Sequence, residues 1–254
     1  MKNTEPLLTD CPSRSIKALL IDCDGVLYGT TEGSDKIIAA GVYKTLAQYG
    51  ISQEEFVQMR ADLKKIGIRG LFNTILELCN KYHISFEKFA EKTVNNTDYS
   101  QINPDPEMLA LLKQVATVMP VYIVTNNTHP HLKKIFDCLR GKTSPIDFQE
   151  ELGIHAITVE NTLEYEPNLD HEIFFPKQMG NQFTRICERI HLSPACVGLI
   201  DDSEHIRVKA KDQGLVPILT NGPEETKQNL KTLYDQAIQE ALYAKINTKS
   251  LPVR

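Results

Sequence analysis

The 254-residue chain is predicted to be α/β: a Rossmann-like parallel sheet core with helices on both faces, plus an inserted all-helical cap. Three observations predict it. First, residues 17–22 (KALLID), 121–125 (VYIVT) and 196–202 (CVGLIDD) are short apolar runs rich in branched residues and followed by helical patterns. Such runs read as strands of a parallel sheet buried on both faces. Second, each run ends in a polar side chain, at the carboxyl end of the strand where open α/β sheets bind ligands. Third, residues 33–102 carry four helix-like patterns and no strand pattern of comparable strength.

In chain order, residues 1–15 contain Glu5, Asp10 and two prolines and lack an apolar core, so they read as a flexible tail, not a signal peptide. The strand at 17–22 follows. Helices are predicted at about 35–49, 52–65, 70–82 and 85–94, with breaks at Gly50, 67–70 and His83. Strand–helix alternation resumes at Asn103, so the cap (33–102) is an insertion between two parts of the core (16–32 and 103–254). Asp105 and Pro106 open a helix as N-cap and first-turn proline, and Met108, Leu109, Leu111, Leu112 and Val115 continue its apolar face. The strand at 121–125 is followed by a helix at 129–140. A further strand at 154–159, a helix at 179–191, the strand at 196–202, a helix at 204–213 and a strand at 215–219 come next. One long amphipathic helix, 223–246, packs outside.

Composition narrows the function. There are 28 Lys+Arg against 33 Asp+Glu, a net charge of −5. A pI near 5.8 excludes the basic footprint of general nucleic-acid binding. No apolar run approaches the ~18 residues of a membrane span. The six cysteines form no CxxC pair, and scattered thiols without a secretory signal point to a reducing, cytoplasmic location.

The stretch Asp22-Cys23-Asp24-Gly25 carries the most chemistry. Two carboxylates straddle a strand end, and Gly25 permits a sharp exit. Carboxylates so placed hold hard cations such as Mg²⁺. One can attack phosphorus to form an aspartyl-phosphate, and the other can protonate the leaving oxygen and then activate water. The alternative is a plain Asx-type turn with both groups solvated. Thr125 and Asn126 add a hydroxyl and a backbone N–H for phosphoryl oxygens, and Asp201 and Asp202 add carboxylates for a metal. So many acids on one floor repel each other without a cation. Lys177, 24 residues before Asp201, is the best candidate for a positive side chain. Arg60 and Arg69 read as solvated cap residues. Tyr28 reads equally as a substrate stack or a structural ring. His129 and His131, spaced i, i+2, read as non-ligands in a loop, and His205 as a surface residue at a helix start.

DCDGVLY, the Thr125 strand end, Lys177 and LIDDS, in that order, resemble the four motifs of the haloacid-dehalogenase-like superfamily over about 17–221. The resemblance implies a Rossmann-like core with a helical cap, Asp22 as nucleophile and Asp24 as general acid/base. It further implies Thr125, Asn126 and Lys177 as the phosphate-binding set. Mg²⁺ would be held by Asp22, the Asp24 backbone carbonyl and the Asp201/Asp202 pair, Asp202 directly. An acid two residues after the nucleophile favours phosphomonoesters over haloacids, because an alkoxide leaving group needs a proton. Met59-Arg60, 67–71 (GIRGL) and 122–126 also resemble the pyrimidine 5′-nucleotidase-type branch, which implies nucleoside monophosphates. Two departures stand out: Pro176 precedes Lys177, where that lysine usually precedes a proline, and the acidic section 150–172 reads as an insertion. The expectation is a Mg²⁺-dependent hydrolase of a small phosphorylated metabolite. The alternatives are a sugar-phosphate phosphatase, a phosphomutase or a non-catalytic regulatory binding protein.

Overall fold

A computed structural model describes residues 15–29, 33–66, 71–141, 145–159, 177 and 181–249. Five parallel strands, β1 (Ala18–Ile21), β2 (Val121–Val124), β3 (Ile154–Ile157), β4 (Val197–Asp201) and β5 (Val216–Leu219), form one sheet in the order β3-β2-β1-β4-β5. Register pairs Leu20 with Tyr122 on one side of β1 and with Leu199 on the other. β1 is therefore the central strand, and all four of its residues are buried. The chain runs from β1 outward through β2 to β3, then crosses to β4 on the opposite side. That reversal brings the carboxyl ends of β1, β2 and β4 together.

Strand side chains alternate between faces. Leu19, Ile21, Val121, Ile123 and Ile200 share one core with α5 (Pro106–Ala116), α6 (His129–Arg140), α7 (Phe148–Leu152) and the long α10 (Pro223–Lys249). Leu20, Val124, Val197 and Leu199 share a second with α8 (Gln182–Arg189) and α9 (Glu204–Asp212). Helices thus cover both faces. Asp105 caps α5 by accepting from Met108 N at 2.9 Å, and Pro106 occupies its first turn. α10 is held to α5 by Lys227, which pairs with Asp105 and Glu107.

Between β1 and α5 lie four helices: α1 (Ser34–Gln48), α2 (Gln53–Lys65), α3 (Leu71–Tyr82) and α4 (Phe86–Asn96). They bury a core of their own, including Val42, Leu46, Phe56, Leu78 and Phe89. Ser52 and Ser85 cap α2 and α4. Close packing of α1 on α4 requires Gly41, where a Cβ would lie 2.1 Å from Thr97 Oγ1.

Two expectations are corrected. The acidic section does not begin as an insertion: Phe148–Leu152 is α7 and Ile154–Ile157 is β3, because Phe148, Leu152 and Ile154 supply buried apolar surface to the core. Its remainder, 160–172, lies outside the described residues, as do the tail 1–14, Pro176 and Arg69. Nor are all the cysteines thiols. Cys23, Cys79, Cys138 and Cys187 are free and buried, but Cys196 is disulfide-bonded. A disulfide requires proximity in the fold, which sequence spacing does not reveal. No described helix is long and apolar enough to cross a membrane.

Candidate active site

Three strand ends and one lysine build the site. After β1 the backbone turns sharply, with Leu27 N donating to Cys23 O at 2.9 Å and Gly25 at φ 80°, a conformation that favours glycine. The turn points Asp22 and Asp24 in different directions. Asp22 Oδ1 accepts from Cys23 N at 2.8 Å and lies 2.5 Å from Lys177 Nζ. The same ammonium donates to Asp201 Oδ2 at 2.9 Å. Lys177 is 3% exposed, so it is a buried counter-ion shared by two carboxylates. Its backbone N–H donates to Asn126 Oδ1 at 3.0 Å, which anchors position 177 to the end of β2. Asp201, the last residue of β4, is fully buried. Its Oδ1 accepts from Ser203 N at 2.9 Å, and Arg207 donates to its carbonyl at 2.7 Å. Asp202, one residue past the strand, is exposed.

One oxygen from each of Asp22, Asp201 and Asp202 lies within 4.8 Å of the others. The set is oxygen-only and carries excess negative charge, the donor chemistry that suits a hard cation such as Mg²⁺. Burial raises the Asp22 carboxyl well above its usual range, the neighbouring Asp201 and Asp24 add to this, and Lys177 opposes it. Lys177 moves up as well: burial alone would lower it, but Asp201 and Asp22 outweigh that.

Asp24 has different surroundings. Tyr28 Oη donates to its Oδ1 at 2.5 Å, Asn127 Nδ2 donates to its Oδ2 at 2.5 Å, and His131 Nε2 lies 3.1 Å from Oδ1. Burial alone would raise this carboxyl, yet His131, Tyr28 and Asn127 together hold it below its usual range. An ionised Asp24 only accepts, so Nε2–H of His131 points at it, and Nδ1 of the same ring lies 2.9 Å from Tyr99 Oη. Burial pushes both tyrosine hydroxyls up, which keeps them as donors.

The structure thus brings together Asp22, Asp24, Thr125, Asn126, Lys177, Asp201 and Asp202 along one cavity of about 560 Å³. Thr125 is fully buried, and its Oγ1 accepts from Asn127 N at 3.1 Å. The Asp24 side chain is not part of the three-carboxylate cluster. The roles of Tyr28, Asn127 and His131 around Asp24, and of Tyr99 behind His131, were not foreseen. His131 is no loop residue: it sits buried in the first turn of α6, behind the Thr128 cap, and faces Asp24. The i, i+2 spacing does send the two imidazoles in different directions, His129 toward Phe148, but it does not reveal that His131 faces Asp24. Tyr28 is neither a stack nor a mere ring, since its hydroxyl holds Asp24. Tyr99 belongs to a 3₁₀ turn, Tyr99–Gln101, beyond α4. The one available signal was the polar cluster after β2, Asn126-Asn127-Thr128-His129. Arg60 lines the cavity but is exposed on α2, and His205 is exposed on α9.

Comparisons with known proteins bear on the fold and the family. Among solved structures, CbbY from Rhodobacter sphaeroides in complex with phosphate is similar at 16% identity, over 82% of this chain and 87% of that one, with a TM-score of 0.53. A haloacid-dehalogenase-family enzyme from Bacteroides thetaiotaomicron, in complex with magnesium and inorganic phosphate, is similar at 20% identity over 81% and 94%, with a TM-score of 0.46. At these identities CbbY shows the fold alone. No curated protein matches. The model of the haloacid dehalogenase-like hydrolase family matches residues 16–210, which span β1, the inserted helices, Lys177 and the end of β4. The chain therefore belongs to the haloacid dehalogenase-like hydrolase family.

Proposed function

We propose that this chain is a Mg²⁺-dependent phosphomonoester hydrolase that works through an aspartyl-phosphate on Asp22. The observation that carries the reading is the division of labour between two carboxylates on one turn: Asp22 faces a buried lysine and the carboxylate cluster, while Asp24 has a separate shell of three hydrogen-bonding partners. Both Asp22 contacts fall on Oδ1, and among the described residues none hydrogen-bonds Oδ2. Oδ2 is thus the oxygen available to attack phosphorus in line. Lys177 Nζ and the Thr125 hydroxyl hold the phosphoryl oxygens. Asp22, Asp201, Asp202 and the Asp24 carbonyl would hold Mg²⁺, which would supply positive charge beside the transferring group.

Asp24 then protonates the leaving oxygen. A phosphoryl dianion beside it opposes its ionised form, so its proton affinity rises as substrate arrives, when an acid is required. With the alcohol gone, Asp24 takes a proton from water, which hydrolyses the aspartyl-phosphate. Residues 33–102 act as a cap that excludes water and contacts the leaving group, and 16–32 with 103–254 act as the catalytic core. The substrate is a small phosphorylated metabolite in the cytoplasm.

Asp22→Asn should abolish phosphate release from para-nitrophenyl phosphate in Mg²⁺ while the circular dichroism spectrum stays that of the wild type. Wild-type activity in the variant would overturn the mechanism. Inorganic phosphate as product separates a hydrolase from a phosphomutase, which would return an isomerised ester.

A further inference from the structure

We infer that the site is built for phosphomonoesters whose alcohol is apolar, an alkyl or aryl group, and not for nucleotides or sugar phosphates. This rests on the phosphatase reading and names its substrate class. The cavity of about 560 Å³ falls within the size of small-molecule sites. Its floor is the polar cluster at the strand ends. Among the described residues its wall is apolar: Ile38 from α1, Phe72 and Ile75 from α3 and Phe86 from α4 present surface to it, and Val42 and Phe89, with almost none of their own, back them. Four of these, Ile38, Val42, Ile75 and Phe89, also belong to the core shared by α1–α4. The cavity therefore runs from the carboxylates up to the apolar interior of the inserted helices.

Polar groups on that wall are already engaged. The Thr93 hydroxyl donates to Phe89 O at 3.0 Å and the Thr97 hydroxyl to Thr93 O at 2.8 Å, and each hydroxyl has one proton. Among the described lining residues from α1–α4, Arg60 is the one charged side chain, and it is exposed. Apart from Arg60 and the acceptor lone pairs of the two threonines, ribose hydroxyls or base amides placed against this wall would exchange water for side chains that cannot hydrogen-bond them, which is unfavourable. An alkyl chain or an aromatic ring gains from the same transfer. The wall thus selects the leaving group while the floor holds the phosphate.

The test is a series of n-alkyl phosphates from ethyl to octyl, assayed with Mg²⁺ beside a nucleoside 5′-monophosphate and a sugar phosphate. The alcohols leave with similar ease, so the series varies burial alone. Each added methylene should raise kcat/KM about fourfold, equivalent to about 0.8 kcal/mol, until the cavity is full. Ile75→Asp and, at a partly exposed position of the wall, Phe86→Ser should flatten that slope. In parallel, binding of the matching n-alkylphosphonates, measured calorimetrically with Mg²⁺, should tighten along the series without any turnover. A flat or falling slope, with the nucleotide or sugar ester turned over faster, overturns this inference and leaves the phosphatase reading standing. If no ester is hydrolysed, para-nitrophenyl phosphate included, the phosphatase reading falls. The phosphonate series then decides the cavity alone: tighter binding with length upholds the apolar wall, and equal binding overturns it.

Discussion

Removing His131 should raise the proton affinity of Asp24 and move the pH dependence of hydrolysis with it. Its Nε2 is one of three partners of the Asp24 carboxylate, and at 3.1 Å it is the longest, against 2.5 Å for Tyr28 and Asn127. A hydrogen bond to an ionised group contributes about 1.5–3 kcal/mol, and the longest of the set belongs at the lower end. His131 favours the ionised carboxylate, so its loss favours the protonated acid. About 1.5 kcal/mol corresponds to an upward shift of roughly one pH unit. In His131→Ala, the basic limb of the kcat/KM profile for an alkyl phosphate, which needs Asp24 as an acid, should therefore move up by roughly one unit. For dinitrophenyl phosphate, whose phenolate leaves without a proton, that limb should stay where it is, because kcat/KM reports only the step that forms the aspartyl-phosphate. His131→Gln, whose amide can reach the position of Nε2, should reverse part of the shift. Equal changes on both esters would show that His131 supports the fold or the phosphate and not Asp24, and an unmoved profile on both would remove it from the site.

Other consequences are equally open to measurement. Lys177→Met leaves Asp22 and Asp201 buried without their cation, which should cost about 3–5 kcal/mol in metal-free thermal unfolding, with part recovered on adding Mg²⁺. An unchanged melting temperature would mean that Lys177 is not their counter-ion. Because burial raises the Asp22 carboxyl, protons compete with the cation; the metal binds the ionised form, so calorimetric Mg²⁺ affinity should rise with pH across the acidic range, and a fall would contradict the proposed ligand. Gly41→Ala puts a Cβ 2.1 Å from Thr97 Oγ1 and 3.1 Å from Thr93 O, so α1 and α4 must separate. It should destabilise the protein by about 1–3 kcal/mol in denaturant unfolding, whereas a neutral result would show that the two helices are not in close contact.

The sheet was legible because continuous apolar runs report strands buried on both faces, and all five predicted strands are present. The inserted helices were legible because two of the breaks read between them are real chain reversals: Gly50 has φ 72° and His83 φ 54°. The floor of the site was legible because its residues sit at strand ends, where position in sequence dictates position in space. Lys177 was expected from the need for a positive charge, its place ahead of a helix and the order of the motifs, and it lies between Asp22 and Asp201. What stayed hidden was the shell around Asp24. His131 is 107 residues away on α6, and Tyr99 reaches it from a turn of another segment. Nothing in local periodicity brings those three together. The acidic pair was visible, but its two members differ through one strand residue: Asp201 ends β4 and is buried, while Asp202 lies past it and is exposed.

The central claim is that Asp22 carries the phosphoryl group. The direct test is to acid-quench Asp24→Asn during reaction with dinitrophenyl phosphate in Mg²⁺, digest it, and weigh the peptide containing Asp22. Without Asp24 as base the intermediate should accumulate, so that peptide should gain the mass of one phosphoryl group, and Asp22→Asn in the same background should lose the gain. Dinitrophenol release in the absence of any phosphorylated Asp22 peptide would contradict the account.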